Sequence, residues 1–382
     1  MSNPPSLVIV TSSFPISGDG SEAAGAFVAD LAIELSKLMR VRVVAPGRRT
    51  EREQWHEGIE IFRYQTPDQP LSTLKLWNPA DAWRILKVMR AGRSTTAASL
   101  EDGSATHILA LWALPCGEWA RYCARKYDVD YSVWTLGSDI WSLGRIPIVK
   151  SFLRRVLQNA RHCWSDGLKL AEDTKAIAGR EVDFLPSTRQ VMRARIEPLR
   201  TAPPYRLLFL GRWHVNKGAD LLLEAIDLLN EDDWKRIEVL HICGGGPEQK
   251  LIESSVQRLK AAGRPVVLKG FLDRNFAEGA IASADWLLIP SRIESIPIIF
   301  SDAMKLQCPV VAMPVGDIPA LLAQKPGGIL SENLNAHSFH KAIKAALHSS
   351  PCQLSSGMTE LATQFDLPEI SLKIHHSLVG HA

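Results

Sequence analysis

The feature that most constrains this chain is an alternation of short apolar runs with amphipathic stretches, and it occurs twice. The first series opens with Leu7–Thr11 (LVIVT) as a strand and Ala26–Met39 as a helix. Val41–Ala45 and Ile59–Arg63 read as strands, Trp83–Arg90 as a helix, His107–Leu111 as a strand and Glu118–Lys126 as a helix. Tyr131–Leu136, Ile148–Asn159 and Val182–Leu185 continue as strand, helix and strand. Runs apolar at every position are buried on both faces, as in a parallel sheet, and strand–helix repetition supplies the crossovers such a sheet needs. Pro186, Pro198, Pro203 and Pro204 then punctuate an Arg-rich stretch without a period, where a linker is expected. The second series begins at once. Its strands are Arg206–Leu210, Ile237–Ile242, Val266–Lys269, Asp285–Ile289 and Val310–Ala312. Its helices are Ala219–Leu229, Glu248–Lys260, Phe276–Ser283 and Ser301–Leu306.

At about 150 residues per domain, 382 residues suggest two domains. The expected architecture is α/β, two Rossmann-like domains with parallel sheets facing across a cleft. The domains are expected at 1–200 and 201–355, with a helix over 356–382 returning to the first. Hydrophobic residues make up 46% and charged residues 22%, which excludes a disordered or collagen-like chain. A net charge of +3 is not the signature of a dedicated nucleic-acid binder. Residues 1–200 carry 27 Lys+Arg against 22 Asp+Glu, so the first half is the better candidate for meeting an anion. Cysteines 116, 123, 163, 243, 308 and 352 show neither C-x-x-C nor zinc-finger spacing and read as core residues of a reduced, cytoplasmic protein. The N-terminus lacks a basic signal-peptide region, and no charge-free window of about 18 residues suggests a membrane span.

Open α/β sheets bind ligands outside the carboxyl ends of their strands. Four loops there stand out in the second half. In FLGRWHVNKG (209–218), Gly211 turns the chain, and Arg212 and Lys217 are expected beside a helix start, a combination suited to a diphosphate. The same residue types also occur as solvated cations on a loop. In ICGGGPE (242–248), Gly245 and Gly246 allow close backbone approach; a tight strand-to-helix turn is the alternative. In IPSRIESIPIIFSD (289–302), Glu294 and Asp302 bracket an apolar stretch, and two helical turns would bring such carboxylates to similar faces, able to accept bonds from sugar hydroxyls. In PVGDIP (314–319), Gly316 can present backbone N–H groups to a phosphate.

Taken in order, G-R-(four residues)-K-G, G-G-P-E, the Gly270–Phe271 turn, P-S-(two residues)-E and P-V-V-A-(two residues)-V-G-D-I-P resemble the second domain of retaining glycosyltransferases of family 4, of the GT-B fold, over about residues 206–330. TSSFPISGDGSEAAGAFVADLA, with Gly25, and VWTLGSDI, with Ser138 and Asp139, look like the family's acceptor-side loop and its H-G-S-D turn. The resemblance implies transfer of a sugar from a nucleotide-diphosphate sugar to a hydroxyl of a saccharide or lipid-linked acceptor, with retention, in polysaccharide or glycolipid biosynthesis. Arg212 and Lys217 match the pair that neutralises the leaving diphosphate. Glu294 matches the carboxylate near the donor sugar, and Asp302 the position on the ribose. Gly211, Gly245, Gly246, Phe271, Ser295, Ile296 and Gly316 fall on the donor side. Leu136 and Leu111 stand where the family carries histidines, Pro297 where it has a glycine, and Asp302 where it has a glutamate. No cofactor is implied. No metal is expected either, because Asp128–Val129–Asp130 precedes a strand instead of following one. A non-catalytic sugar-nucleotide-binding protein and a nucleotide-sugar epimerase on the same fold are the rival readings.

The acceptor side shows two basic segments with apolar residues interleaved: Arg84, Lys87 and Arg90 in one, Arg145, Lys150, Arg154 and Arg155 in the other. Each reads as a core-packed helix with a wet face or as a surface for anionic lipid, giving peripheral membrane contact. Trp77, Trp83, Trp112, Trp119, Trp134, Trp141 and Trp164 concentrate in the first half, as saccharide-stacking faces or as core.

Overall fold

The computed structural model describes residues 5–16, 25–67 and 78–380. Trp77 and residues 17–24 of the acceptor-side loop lie outside them. The chain divides into two compact units, Met1–Arg189 with Leu367–Ala382, and Gln190–Asp366.

The first unit runs β1 (Ser6–Val10), α1 (Ala26–Ser36), β2 (Arg40–Gly47), β3 (Glu51–His56), β4 (Ile59–Gln65), α2 (Pro79–Ala98) and β5 (His107–Leu111). It continues with α3 (Glu118–Tyr127), β6 (Asp130–Thr135), α4 (Ser138–Trp141), α5 (Pro147–Asn159), β7 (Cys163–Ser165), α6 (Leu168–Ala178) and β8 (Asp183–Phe184). Among the described residues the strands form one sheet in the order β3-β4-β2-β1-β5-β6-β7-β8. All neighbours are parallel except β3 and β4. The hairpin strand β3 is absent from the sequence reading because EREQWH contains no apolar run. It is an edge strand held by charge, with Arg52 on Glu60 and Arg63 Nε on Glu53 at 2.8 Å. Such charged edges discourage pairing with a second sheet.

The second unit runs β9 (Tyr205–Arg212), α7 (Ala219–Asp227), α8 (Glu231–Trp234), β10 (Ile237–Gly245), α9 (Gln249–Ala261), β11 (Val266–Lys269), α10 (Arg274–Ser283) and β12 (Trp286–Ile289). It closes with α11 (Ile298–Lys305), β13 (Val310–Ala312), α12 (Ile318–Gln324), β14 (Gly328–Leu330), α13 (Ala336–Leu347) and α14 (Ser355–Thr363). Its sheet is parallel throughout, in the order β11-β10-β9-β12-β13-β14. The last helix, α15 (Leu367–Val379), belongs to the first unit and packs on α1.

Residues 190–200, read from sequence as linker, are strapped to the second unit. The carboxylate of Glu278, fully buried, accepts the backbone N–H of Met192 (2.9 Å) and of Arg193 (3.1 Å) and Nε of Arg274 (3.1 Å). Arg195 caps the carbonyls of Leu306, Ile281 and Ala284 at 3.1, 3.2 and 2.6 Å. A buried carboxylate is tolerated where each lone pair meets a donor.

The first core is tight where α2 crosses α3. Trp119, on α3, is fully buried and meets Tyr64 edge-on, ring centroids 5.1 Å apart. A Cβ at Gly92 of α2 would lie 2.3 Å from Trp119 Cη2. Gly92→Ala should therefore lower unfolding stability by about 1–3 kcal/mol through overpacking, measured by denaturant titration. An unchanged midpoint would refute the close crossing.

Candidate active site

In the second unit the loops after β9, β10, β12 and β13 converge at the carboxyl edge of the sheet. β9 and β10 run further than their sequences suggest, pairing Gly211 with Gly244 and Arg212 with Gly245. Arg212 therefore ends a strand, exposed and with no ion pair among the described residues. Lys217 ends the 3₁₀ turn Val215–Lys217 instead of starting a helix, with Gly218 between it and α7.

Lys217 pairs with Glu294 across 77 residues of sequence, and Ser291 Oγ donates to the same Glu294 oxygen at 3.1 Å. Two residues assigned by sequence to a diphosphate and to a sugar are thus brought together. The backbone allows this approach at two glycines. Gly218 has φ 67, and a Cβ there would lie 1.9 Å from the carbonyl oxygen of Pro290. Gly316 has φ 52, and a Cβ there would lie 2.0 Å from the carbonyl oxygen of Ser295. Only glycine fits both the left-handed backbone and the contact.

The other donor-side residues lie around this pair. Ser295 and Ile296 are buried beneath the β12 loop, and the Asp317 N–H bonds the Ser295 carbonyl at 3.1 Å. Gly245 accepts the Trp213 N–H at 2.9 Å, and the neighbouring Gly246 abuts the Trp213 carbonyl. The Gly270 carbonyl accepts the Gly244 N–H at 3.2 Å, leaving Phe271 exposed at the end of β11. Asp302 is buried on the second turn of α11. Glu294 is not on that helix: α11 begins at Ile298, with Pro297 as its N-cap, so the two carboxylates do not share a helical face. Sequence reasoning missed Arg292 and Asp220, whose guanidinium–carboxylate pair (2.7 and 2.6 Å) lies behind Lys217. Only the charge of each residue hinted at it. Glu248 sits close by, its carboxyl raised by burial and by Asp220, against the opposing pull of Arg292 and His214.

In the first unit Gly25 is the N-cap of α1 and lies against the backbone of Ser13. Ser138 opens α4 at the surface. Leu111 is fully buried in β5 and Leu136 half-buried after β6. Asp128 caps α3 in a left-handed conformation through its backbone N–H, and the Asp130 carboxylate pairs with Arg161. Asp139 ties two strand ends together, accepting the backbone N–H of Ala113 (2.7 Å) after β5 and of Leu136 (3.3 Å) after β6. Burial raises its carboxyl to about 6, and these N–H groups oppose the rise. Because the folded value lies above the unfolded one, folding takes up a proton between them. The contribution of Asp139 to stability is full below about pH 4 and is lost as pH rises through about 6. Relative to Asp139→Asn, the wild type should gain on the order of 2 kcal/mol between pH 7 and pH 4, read from unfolding titrations. A pH-independent difference would exclude this titration.

Known proteins resemble the chain in sequence and in fold. Residues 204–349 match the family profile described as Glycosyl transferases group 1. The chain is 30% identical over 189 residues to D-inositol 3-phosphate glycosyltransferase of Corynebacterium aurimucosum, covering 47% of this chain and 44% of that protein. It is 24% identical over 291 residues to the putative teichuronic acid biosynthesis glycosyltransferase TuaC of Bacillus subtilis, covering 70% of this chain and 69% of that one. The chain thus spans less than half the length of the first relative. Among solved structures, sucrose-phosphate synthase from Thermosynechococcus elongatus superposes with a TM-score of 0.73 at 16% identity, covering 97% of each chain. Anabaena Alr3699/HepE in complex with UDP and glucose gives 0.71 at 14% identity, covering 98% of this chain and 100% of that one. At such identities the likeness is one of fold. Profile and fold point the same way: residues 204–349 match the glycosyl transferases group 1, and the chain has the GT-B fold.

Proposed function

We propose that the protein transfers a sugar from a nucleotide-diphosphate sugar to a hydroxyl acceptor, with retention, in polysaccharide or glycolipid biosynthesis. One observation carries this reading: the Lys217–Glu294 pair, set by Ser291 at the carboxyl edge of the second sheet, with Arg212 exposed at the end of β9. A cation and a carboxylate at one point suit a ligand that carries phosphate at one end and hydroxyls at the other. The complex of Alr3699/HepE with UDP and glucose, on the same fold, supports a donor of this class. In the proposed reaction the anomeric carbon–phosphate oxygen bond breaks and the acceptor oxygen bonds the anomeric carbon. The acceptor's proton passes to the departing diphosphate on the same face, so no side-chain base is required. Arg212 and Lys217 offset the charge that builds on the leaving oxygen, where fixed donors have their largest effect. Glu294 accepts hydroxyls of the sugar, and Asp302 serves the ribose. Gly25, Ser138 and Asp139 belong to the acceptor side. No metal or cofactor enters the scheme.

Calorimetry of the folded protein with UDP, GDP and ADP should find affinity for at least one. Arg212→Ala and Lys217→Ala should each reduce transfer by about 10²–10³ with an unchanged unfolding midpoint. Absence of affinity for every nucleoside diphosphate would end this reading.

The proposal includes a membrane-associated acceptor. Ile148 (74% exposed) and Phe152 (46% exposed) project from α5, and Ile146 is exposed just before it. Arg145, Lys150, Arg154 and Arg155 surround them, and no acidic residue occurs from 140 to 165. Exposed apolar groups ringed by one sign of charge complement an anionic bilayer. No helix among the described residues is long and apolar enough to cross a membrane, so the contact would be peripheral. The protein should float with phosphatidylglycerol vesicles and not with phosphatidylcholine vesicles, and lose flotation with Ile148→Glu plus Phe152→Glu or in high salt. Equal flotation on both lipids, or an unaffected double variant, would refute the contact.

A further inference from the structure

Lys217 closes a three-residue turn, and a lysine side chain is a flexible four-carbon stem. Neither property fixes an ammonium group at one place. Its neighbours on both sides, however, are held by one residue of another loop. The backbone N–H of Arg292 bonds the Asn216 carbonyl at 2.8 Å. Its Nη1 bonds the Val215 carbonyl at 2.7 Å, and its fork takes both oxygens of Asp220, on the first turn of α7. Arg292 therefore grips the chain before Lys217 and after it. The loop that carries Arg292 also carries Glu294, which meets the Lys217 ammonium directly, and Ser291, which donates to that same carboxylate.

We infer that Arg292 and Asp220 form a strut that sets Lys217 against Glu294, making them positioning residues of the site. A guanidinium suits this task because it offers five donors in a rigid plane, and two carboxylate bonds with one carbonyl bond use three of them. Burial alone would raise the Asp220 carboxyl, but the Arg292 bonds outweigh it and hold the group below its ordinary value. The pair therefore stays ionised at neutral pH. Glu248, from the loop after β10, adds a second carboxylate beside the guanidinium. The consequence for ligand affinity rests on the donor-site reading of Lys217; the strut itself does not.

The two are separated by measuring amine labelling of the ligand-free protein by mass spectrometry alongside nucleotide titration. In the wild type Lys217, shielded by Glu294, should label slowly. Arg292→Gln and Asp220→Asn should raise its labelling several-fold while the remote, exposed Lys235 labels as before. Loss of a purely structural contact would raise labelling throughout the unit or lower the unfolding midpoint, and Arg292→Lys, which keeps the charge without the fork, should restore protection only in part. Nucleoside diphosphate affinity should fall about tenfold in Arg292→Gln. Unchanged Lys217 labelling in both variants overturns the strut. Selective exposure of Lys217 with no nucleotide binding in the wild type supports the strut and overturns the donor reading instead.

Discussion

The second unit depends on which strands are neighbours. β9 is first in its sheet's chain order, yet it lies between β10 and β12, so the connections leave it in opposite directions. A crevice opens where the order reverses in this way. Lys217 follows β9 and Glu294 follows β12, and sheet adjacency brings them together across a long stretch of sequence. Ionic contacts of this kind are sensitive to small displacements, which is why the backbone around them is so fully bonded. Arg292 secures one loop and Ser291 orients the other.

The first unit uses the same geometry for a different purpose. β1 lies between β2 and β5, and the loops after β1, β5 and β6 meet at one edge. Asp139 joins two of these loops through backbone N–H groups. A carboxylate has no donors of its own, so it suits a place where two main chains both present N–H. Its burial opposes ionisation and its bonds favour it, leaving a group whose charge changes within the range of mildly acidic solution.

Much of this was legible in the sequence because buried parallel strands are apolar at every position. Val266–Lys269 and Val310–Ala312 form strands at the residues their pattern marks. Elements without that signature were harder to read. β3 is charged, and residues 190–200 look like linker because the groups that hold them, Glu278 above all, lie more than 80 residues away. The Glu294–Asp302 spacing suggested a common helix. Pro297 disfavours the helical backbone at Ile296, so the helix starts only after it. Gly211, Gly245, Gly246 and Gly316 stood out because glycines can mark close backbone contacts, and Gly246 and Gly316 make them, while a Cβ at Gly245 would meet open space. Arg292 carried no such mark, since its importance lies entirely in partners from other loops.

The contacts at Gly218 and Gly316 place bare main chain of one loop directly on the carbonyl of the next. At these two points main chain meets main chain, so the closeness of the approach is set by the backbone, while side chains such as Arg292 fasten the loops on either side. Phe271 and Ile293 are exposed at this edge, where exchange of a side chain leaves the backbone contacts untouched. A lineage could alter what the edge recognises by exchanging those, or by lengthening a loop, while the junction itself stays the same.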